Sequence, residues 1–359
     1  MPSVEVIVRE DAVQEVVPTM RKMGAFRNCL VVHDINTRKV AGATILDLLR
    51  KEGWSAKEAV VDRPDEVNVE SVASQLGKED LLVGVGGTSV LDIAKLAASK
   101  KGAKYLLFST GLANSGIVSK TASIYMKGGK KESISINLAD AVIVDLAIIS
   151  QAPPWMVPAG CGDLVIEATA IKDWQLGRDE AHELYCESIA ELEMSTLDQI
   201  FHDVDEIKAR STRGIKSLVD ALITSGFGMA MYGSSRPSSG SEHLWSHWLD
   251  HHAEETKSPP GRHGEQVGIG TLLMSKYHET YNPNWWSRTE HLNYQAESLT
   301  AFLRKVGAPT TPEEIGVSKQ LATEAFVGAW KYRKERYTIL HKRHPNSEDA
   351  KGIMRDLEM

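Results

Sequence analysis

Cysteine is scarce in this chain: Cys29, Cys161 and Cys186 are the only 3 among 359 residues. Three thiols cannot build a disulfide framework, and an odd count in a chain this long points to a reducing compartment. Long apolar runs are missing as well. The stretch from Ala141 to Ile149 is broken by Asp145, and it falls far short of the about 20 residues that a membrane span requires. The first residues, Met-Pro-Ser-Val-Glu, lack the basic and apolar segments of a secretory signal. There is no excess of positive charge either. Lys and Arg number 41 against 48 Asp and Glu, a net charge of -7, which argues against a general nucleic-acid binder. Hydrophobic residues make up 42% and charged residues 25%, the profile of a globular protein, and the length suits two domains better than one. The expectation is a cytoplasmic, soluble enzyme with no nucleic-acid partner and no membrane span.

The first 150 residues alternate between strand-like and helix-like patterns. Strands are expected at 29–33, 59–61, 80–85 and 105–108, and later at 123–126, 133–136 and 141–144. Helices are expected at 38–52, 67–76 and 89–101. Such alternation implies βαβ units and a mostly parallel, Rossmann-like sheet. Composition shifts at Gln151-Ala-Pro-Pro154. Beyond it the periodicity is helical almost throughout, with segments expected at 163–176, 178–199, 207–231 and 264–278. The chain therefore divides into an α/β domain over 1–150 and an all-α domain over 151–359.

Four constellations carry chemistry. Gly84-Val-Gly86-Gly87-Thr88-Ser89 joins a strand to a helix. Glycines there let a backbone approach an anion, and the N–H groups opening the helix bind phosphate. Asp34 follows the first strong strand, where a carboxylate accepts ribose hydroxyls and favours NAD over NADP; it equally suits a helix cap. Asp163, His243 and His263 form a donor set for a divalent metal, zinc first, with iron or nickel also suited. Each follows glycine or serine punctuation that opens a helix. His243 and His247 stand four apart on one helix face and are themselves a possible ligand pair. His251, His252, His278, His291, His341 and His344 read as surface residues. Lys120, Lys172 and Arg236 are candidate cations for a substrate phosphate. Trp245 and Trp248 fall at helical spacing and read as core, as does Cys161.

The runs GVGGTSVLDIAK (84–95), AGCGDLVIEATAIKDW (159–174), SGFGMAMYGSSRPSSGSEHLWSH (225–247), GRHGEQVGIGT (261–271), VGAPTTPEEIG (306–316) and RKERYTIL (333–340) together resemble the sn-glycerol-1-phosphate dehydrogenase family. That family belongs to a superfamily with glycerol dehydrogenases, iron-containing alcohol dehydrogenases and 3-dehydroquinate synthases. The resemblance implies a dehydroquinate synthase-like fold, NAD or NADP on the glycine loop, and a metal on the positions matching Asp163, His243 and His263. It extends the cofactor set to Gly86, Gly87, Thr88, Ser89, Asp92 and Thr110, and makes His247 a proton carrier. It also implies a small phosphorylated substrate and a homodimer or larger homo-oligomer. One departure stands out. Where the dehydrogenases carry an aspartate facing substrate hydroxyls, this chain has Ser115, and Ser119-Lys120 follows, similar to the lysine-bearing stretch of dehydroquinate synthases. Ser115 and Ser119 are therefore expected at the substrate. The default activity is the interconversion of a phosphorylated polyol and its ketone, sn-glycerol 1-phosphate and dihydroxyacetone phosphate. The alternative is a cyclase or lyase that eliminates phosphate with no net redox change.

Overall fold

The computed structural model describes residues 4–77, 80–128, 131–259, 261–286 and 294–359. The chain separates into two compact units, one of Met1–Leu112 with Gly116–Pro153, the other of Ala113–Ser115 with Pro154–Met359.

The first unit is built on six parallel strands: β1 (Glu5–Arg9), β2 (Asn28–His33), β3 (Ser55–Val60), β4 (Asp80–Gly86), β5 (Tyr105–Ser109) and, after the antiparallel pair β6 (Thr121–Tyr125) and β7 (Lys131–Ser135), β8 (Ala141–Asp145). Their order across the sheet is β1-β8-β5-β4-β2-β3. β2 and β4 are neighbours whose onward connections run in opposite directions, so the switch point of the sheet lies between their carboxyl ends. The middle strands are apolar on both faces. Val31, Leu81, Val83, Val85, Leu106, Phe108 and Ile143 are buried in one cluster under the flanking helices. β1 escapes the sequence reading. β3 is longer than expected because it is an edge strand whose Lys57 and Glu58 face outward, so only its end looks apolar. The helix expected over 38–52 is present as Ile35–Thr37, a wider-wound turn Arg38–Gly42, and Ala43–Lys51. Gly42 sits over the buried His33 ring, which a Cβ there would meet at 2.9 Å.

The second unit is helical. Its main helices are Met156–Leu164, Glu167–Ala181, Glu187–His202, Thr212–Tyr232, Ser241–Thr256, His263–Tyr281 and Ala296–Val306. The segment expected over 163–176 contains a kink. There the hydrogen bonds tighten to i−3 spacing, Ala168 N to Val165 O at 3.2 Å and Thr169 N to Ile166 O at 2.9 Å. The segment expected over 178–199 is cut at His182, a left-handed residue (φ 57°) whose N–H closes the preceding helix on Gly177. Ser211 caps a fresh helix inside the stretch expected over 207–231, its Oγ accepting from Gly214 N at 3.0 Å. Trp174, Trp245, Tyr277 and Phe326 are fully buried here. Among the described residues no helix is long and apolar enough to cross a membrane.

Candidate functional site

In the first unit, the glycine loop opens the helix Thr88–Lys101 directly after β4. Its glycines have different jobs. A Cβ on Gly84 would lie 2.7 Å from Ala94 Cβ, and one on Gly86 would lie 2.6 Å from Val90 Cβ. Those two let the helix pack on its own strand. A Cβ on Gly87 would meet nothing within 4 Å. Gly87 is thus the glycine whose backbone faces open space at a helix N-terminus, the setting that suits a pyrophosphate. Thr88 and Ser89 follow it in the first turn, Ser89 exposed. Thr110 extends the same end of the sheet, its N–H donating to Gly86 O at 3.0 Å. Asp34 stands at the end of β2 across the switch point. Its Oδ1 accepts from Asn36 N at 2.7 Å and Thr37 N at 2.8 Å, so it caps the short helix that follows.

Asp92 is a correction. It was expected at the cofactor, yet both oxygens are taken inside the unit. Oδ1 pairs with buried Lys95 at 3.0 Å, and Oδ2 accepts from Ser123 N at 3.1 Å. Lys95 in turn donates to Gly116 O and to Thr121 O. This network ties the helix to the turn before β6. Ser119 belongs to that turn and not to a substrate surface: its Oγ donates to Gly116 O at 3.1 Å. Lys120 lies at the same turn, with its carbonyl accepting from Ile136 N at 2.9 Å.

In the second unit, small residues let three helices approach unusually closely. A Cβ on Gly162 would sit 2.1 Å from Gly264 O, and one on Gly264 would sit 2.0 Å from Ala159 O. A Cβ on Gly270 would sit 2.9 Å from Glu242 O. The helices carrying Asp163, His243 and His263 are thus in backbone contact, which brings the three side chains together. Asp163 is not at a helix start as expected but next to last in Met156–Leu164. His243 is the third residue of its helix and His263 the first of its own.

The spacing fits a shared ion. Zinc bonds of about 2.1 Å at tetrahedral angles put two donor atoms about 3.4 Å apart and two imidazole centres about 5 Å apart. His263 Nε2 lies 3.6 Å from Asp163 Oδ1, and the His243 and His263 ring centres are 5.1 Å apart. Among the described residues no group of three or more His, Cys, Asp or Glu side chains stands in a geometry that could hold a metal ion; the fit is in the two pairwise spacings and the donor chemistry. His247, one turn on, has its ring 6.1 Å from that of His243.

Two supporting residues escape the sequence reading in this role. Glu242 is fully buried. Its Oε1 accepts from His243 Nδ1 at 2.9 Å and Gly240 N at 2.6 Å, and its Oε2 accepts from Thr169 Oγ1 at 2.7 Å. A carboxylate at Nδ1 orients the ring and leaves Nε2 as the nitrogen that could bind a metal. Ser115 was expected to face substrate. Instead its N–H and Oγ both donate to Asp163 Oδ2, at 2.8 and 3.0 Å, which leaves Oδ1 toward His263. Burial pushes the Asp163 carboxyl above the usual range, with His243 and Ser115 opposing that rise.

The remaining candidates fall elsewhere. Arg236, expected to hold a phosphate, is 4% exposed and mostly engaged: Nε donates to Glu183 at 2.6 Å and Nη2 donates to Asp173 O and Tyr337 O, while Nη1 has no hydrogen-bond partner among the described residues. Lys172 places its Nζ 3.7 Å from the centre of the Trp286 ring. His278 is a buried residue and not a surface one, with Nε2 3.1 Å from Asp173 Oδ1 and its ring stacked on Trp285. His251, His252 and His341 are half-buried, and His344 is exposed but stacked on Trp330. His291 lies outside the described residues. Trp245 is core as expected, while Trp248 is half-buried and stacks on His252. Cys161 is fully buried, which pushes its thiol up and suits packing.

Comparison with known proteins bears on the whole chain. Residues 7–153 match the family model described as iron-containing alcohol dehydrogenase. The glycerol-1-phosphate dehydrogenase [NAD(P)+] of Pyrococcus furiosus is 36% identical over 341 residues, 94% of this chain and 92% of that one. The protein of the same name from Methanothermobacter thermautotrophicus is 34% identical over 330 residues, 92% and 90% of the two chains. Among solved structures, a probable glycerol dehydrogenase from Sinorhizobium meliloti superposes with a TM-score of 0.76 at 20% identity, covering 99% of this chain and 96% of that one. The glycerol dehydrogenase of Schizosaccharomyces pombe gives 0.76 at 18% identity, with 99% and 88% covered. By its near full-length identity to these relatives, the chain belongs to the glycerol-1-phosphate dehydrogenase family.

Proposed function

We propose that this chain is an NAD(P)- and metal-dependent dehydrogenase that interconverts sn-glycerol 1-phosphate and dihydroxyacetone phosphate. The observation that carries the reading is the ligand-like spacing of Asp163, His243 and His263, in a chain 35% identical over 353 residues to a dehydrogenase of that name from Pyrococcus horikoshii. Asp163, His243 and His263 would hold a divalent metal, zinc by its fit to two imidazoles and a carboxylate; such an ion would supply Lewis acidity toward a carbonyl or alkoxide oxygen, and a bound NAD(P) would supply the hydride chemistry.

The chain's own residues do the rest. Ser115 holds one Asp163 oxygen so that the other is presented. Glu242 keeps the His243 proton on Nδ1 and its lone pair on Nε2. His247 carries the proton to or from the substrate oxygen on an imidazole nitrogen. Gly87 and the N–H groups of Thr88 and Ser89 receive the pyrophosphate, with Thr110 beside them. The second Asp34 oxygen is available to a ribose hydroxyl, which favours NAD. Nothing separately supports the cyclase alternative, since the turn holding Ser119 and Lys120 is organised by backbone contacts.

The test offers dihydroxyacetone phosphate with NADH or NADPH to metal-reconstituted enzyme, following nicotinamide absorbance and free phosphate together. Loss of NADH at constant phosphate is the expected result. Phosphate release from a sugar phosphate at constant NADH, or full activity in a His243→Ala, His263→Ala double variant, overturns it.

A further inference from the structure

Three arginines gather around the serine-rich loop that leads into the His243 helix. Arg336 donates to Ser235 Oγ at 2.9 Å and to Ser239 O at 3.2 Å. Arg236, in the same loop, is paired through Nε with Glu183, but its buried Nη1 has no hydrogen-bond partner among the described residues. Arg333, one turn before Arg336, is half-buried and makes no ion pair within 4 Å among the described residues. Burial holds Arg333 below the usual guanidinium range, and burial together with Arg333 and Arg236 brings Arg336 down to about 9.

These groups repel one another in a desolvated setting. Glu183 answers one of the three charges, and its other oxygen is spent on Tyr337 N at 2.6 Å. Glu335 is exposed and screened by water. Buried cations left uncompensated are costly, so the cluster is stable only with an anion or at the expense of its own charge. Guanidinium groups match tetrahedral oxyanions in both charge and fork geometry. The cluster also adjoins the ligand-bearing helix: Arg336 bonds Ser239 O, and Ser239 lies in the loop just before the helix Ser241–Thr256 that carries His243.

We propose that Arg333 and Arg336, completed by Nη1 of Arg236, form the subsite for a phosphate monoester dianion, the phosphate of the substrate. The assignment of that phosphate to a reacting substrate rests on the function proposed above; the anion site itself does not. It replaces Lys120 and Lys172 as the phosphate anchors.

The test measures inorganic phosphate binding by calorimetry on the full-length wild type, on Arg333→Gln and on Arg333→Lys, alongside KM and kcat for dihydroxyacetone phosphate. Arg333 is the residue to change because its side chain makes no hydrogen bond or ion pair among the described residues, and its only contact of that kind there is through its carbonyl, which accepts from Arg336 N at 2.9 Å. Loss of one charge-assisted contact weakens binding by about tenfold or more. The expected pattern is weaker phosphate binding and a raised KM in Arg333→Gln, kcat changed less, and partial recovery in Arg333→Lys. Phosphate binding that is absent in the wild type or unchanged in Arg333→Gln overturns the subsite, as does a variant that loses kcat at constant KM. Phosphate binding that depends on Arg333 in an enzyme inactive on dihydroxyacetone phosphate upholds the anion site and overturns the substrate reading alone.

Discussion

Gly264→Ala tests whether helix contact sets the metal geometry. The added Cβ would lie 2.0 Å from Ala159 O, 2.7 Å from Ala159 C and 3.0 Å from Ala113 O. All are backbone atoms, so no side chain can swing away. Relief needs the helices Met156–Leu164 and His263–Tyr281 to part by about 1 Å or more, at a cost in the range of about 1–3 kcal/mol for overpacking. In a chain this long each kcal/mol lowers Tm by about 2–4 °C. The same movement separates Asp163 from His263, although metal–ligand distances tolerate only about 0.2 Å. Thermal unfolding with and without added zinc, together with chelator competition, reads both effects. The expected variant is folded, melts several degrees lower without metal, and gains less stability from zinc than the wild type does. A variant that matches the wild type in Tm and in zinc affinity would refute the argument that these glycines place the ligands.

Other outcomes follow from the same geometry. Gly87→Ala introduces a Cβ with no atom within 4 Å at φ −80°, so it costs under about 1 kcal/mol while weakening NAD(P) binding in a fluorescence titration; unchanged affinity would remove Gly87 from the cofactor site. Glu242→Gln keeps the shape but weakens the acceptor behind His243, and metal affinity by competition assay should fall about 10–100-fold. Removing the metal with chelator should lower Tm yet leave the far-ultraviolet circular dichroism intact, because the helix contacts are protein–protein ones. Glu167 and Glu193 are buried against each other beside Ser225 and Ser238. Burial and mutual repulsion raise Glu167, and burial raises Glu193 to about 8 from an ordinary 4.5. The unfolded chain releases these protons near pH 4.5 and the folded chain holds them, so stability falls as pH rises toward about 8. Urea midpoints at pH 6 and pH 9 should show that fall, and Glu193→Gln should flatten it.

Local patterns foretold what local chemistry decides. The central strands β2, β4, β5 and β8 are apolar runs between turn residues, and the glycine loop sits where such a loop must, between a strand and a helix. The two histidine runs were visible because glycine and serine mark the helix starts. What stayed hidden depends on partners far away in sequence. β1 pairs with β8, whose residues lie more than 100 positions on. His278 was read as a surface residue because its partner, Asp173, is 105 residues distant. Arg236 looked available because the sequence does not show Glu183, 53 residues before it. Ser115 looked like a substituted substrate residue because its partner, Asp163, stands 48 residues on in another helix. Glu242 had a local signal, a carboxylate beside a candidate ligand, but adjacency in a helix does not reveal which way a side chain turns.

Glu242 shows why packing and chemistry are one constraint in this unit. Its Oε2 takes the Thr169 hydroxyl, which fixes the His243 helix against the segment that continues from Asp163. Its Oε1 takes His243 Nδ1, which fixes the ring. Its backbone rests where Gly270 has no side chain, which fixes the His263 helix. One buried residue therefore ties together the His243 helix, the His263 helix and the helix Glu167–Ala181 that follows the one carrying Asp163. A loop-borne metal site can drift with its loop, whereas here the ligand spacing changes only if helix axes move. Dense helix packing resists such movement.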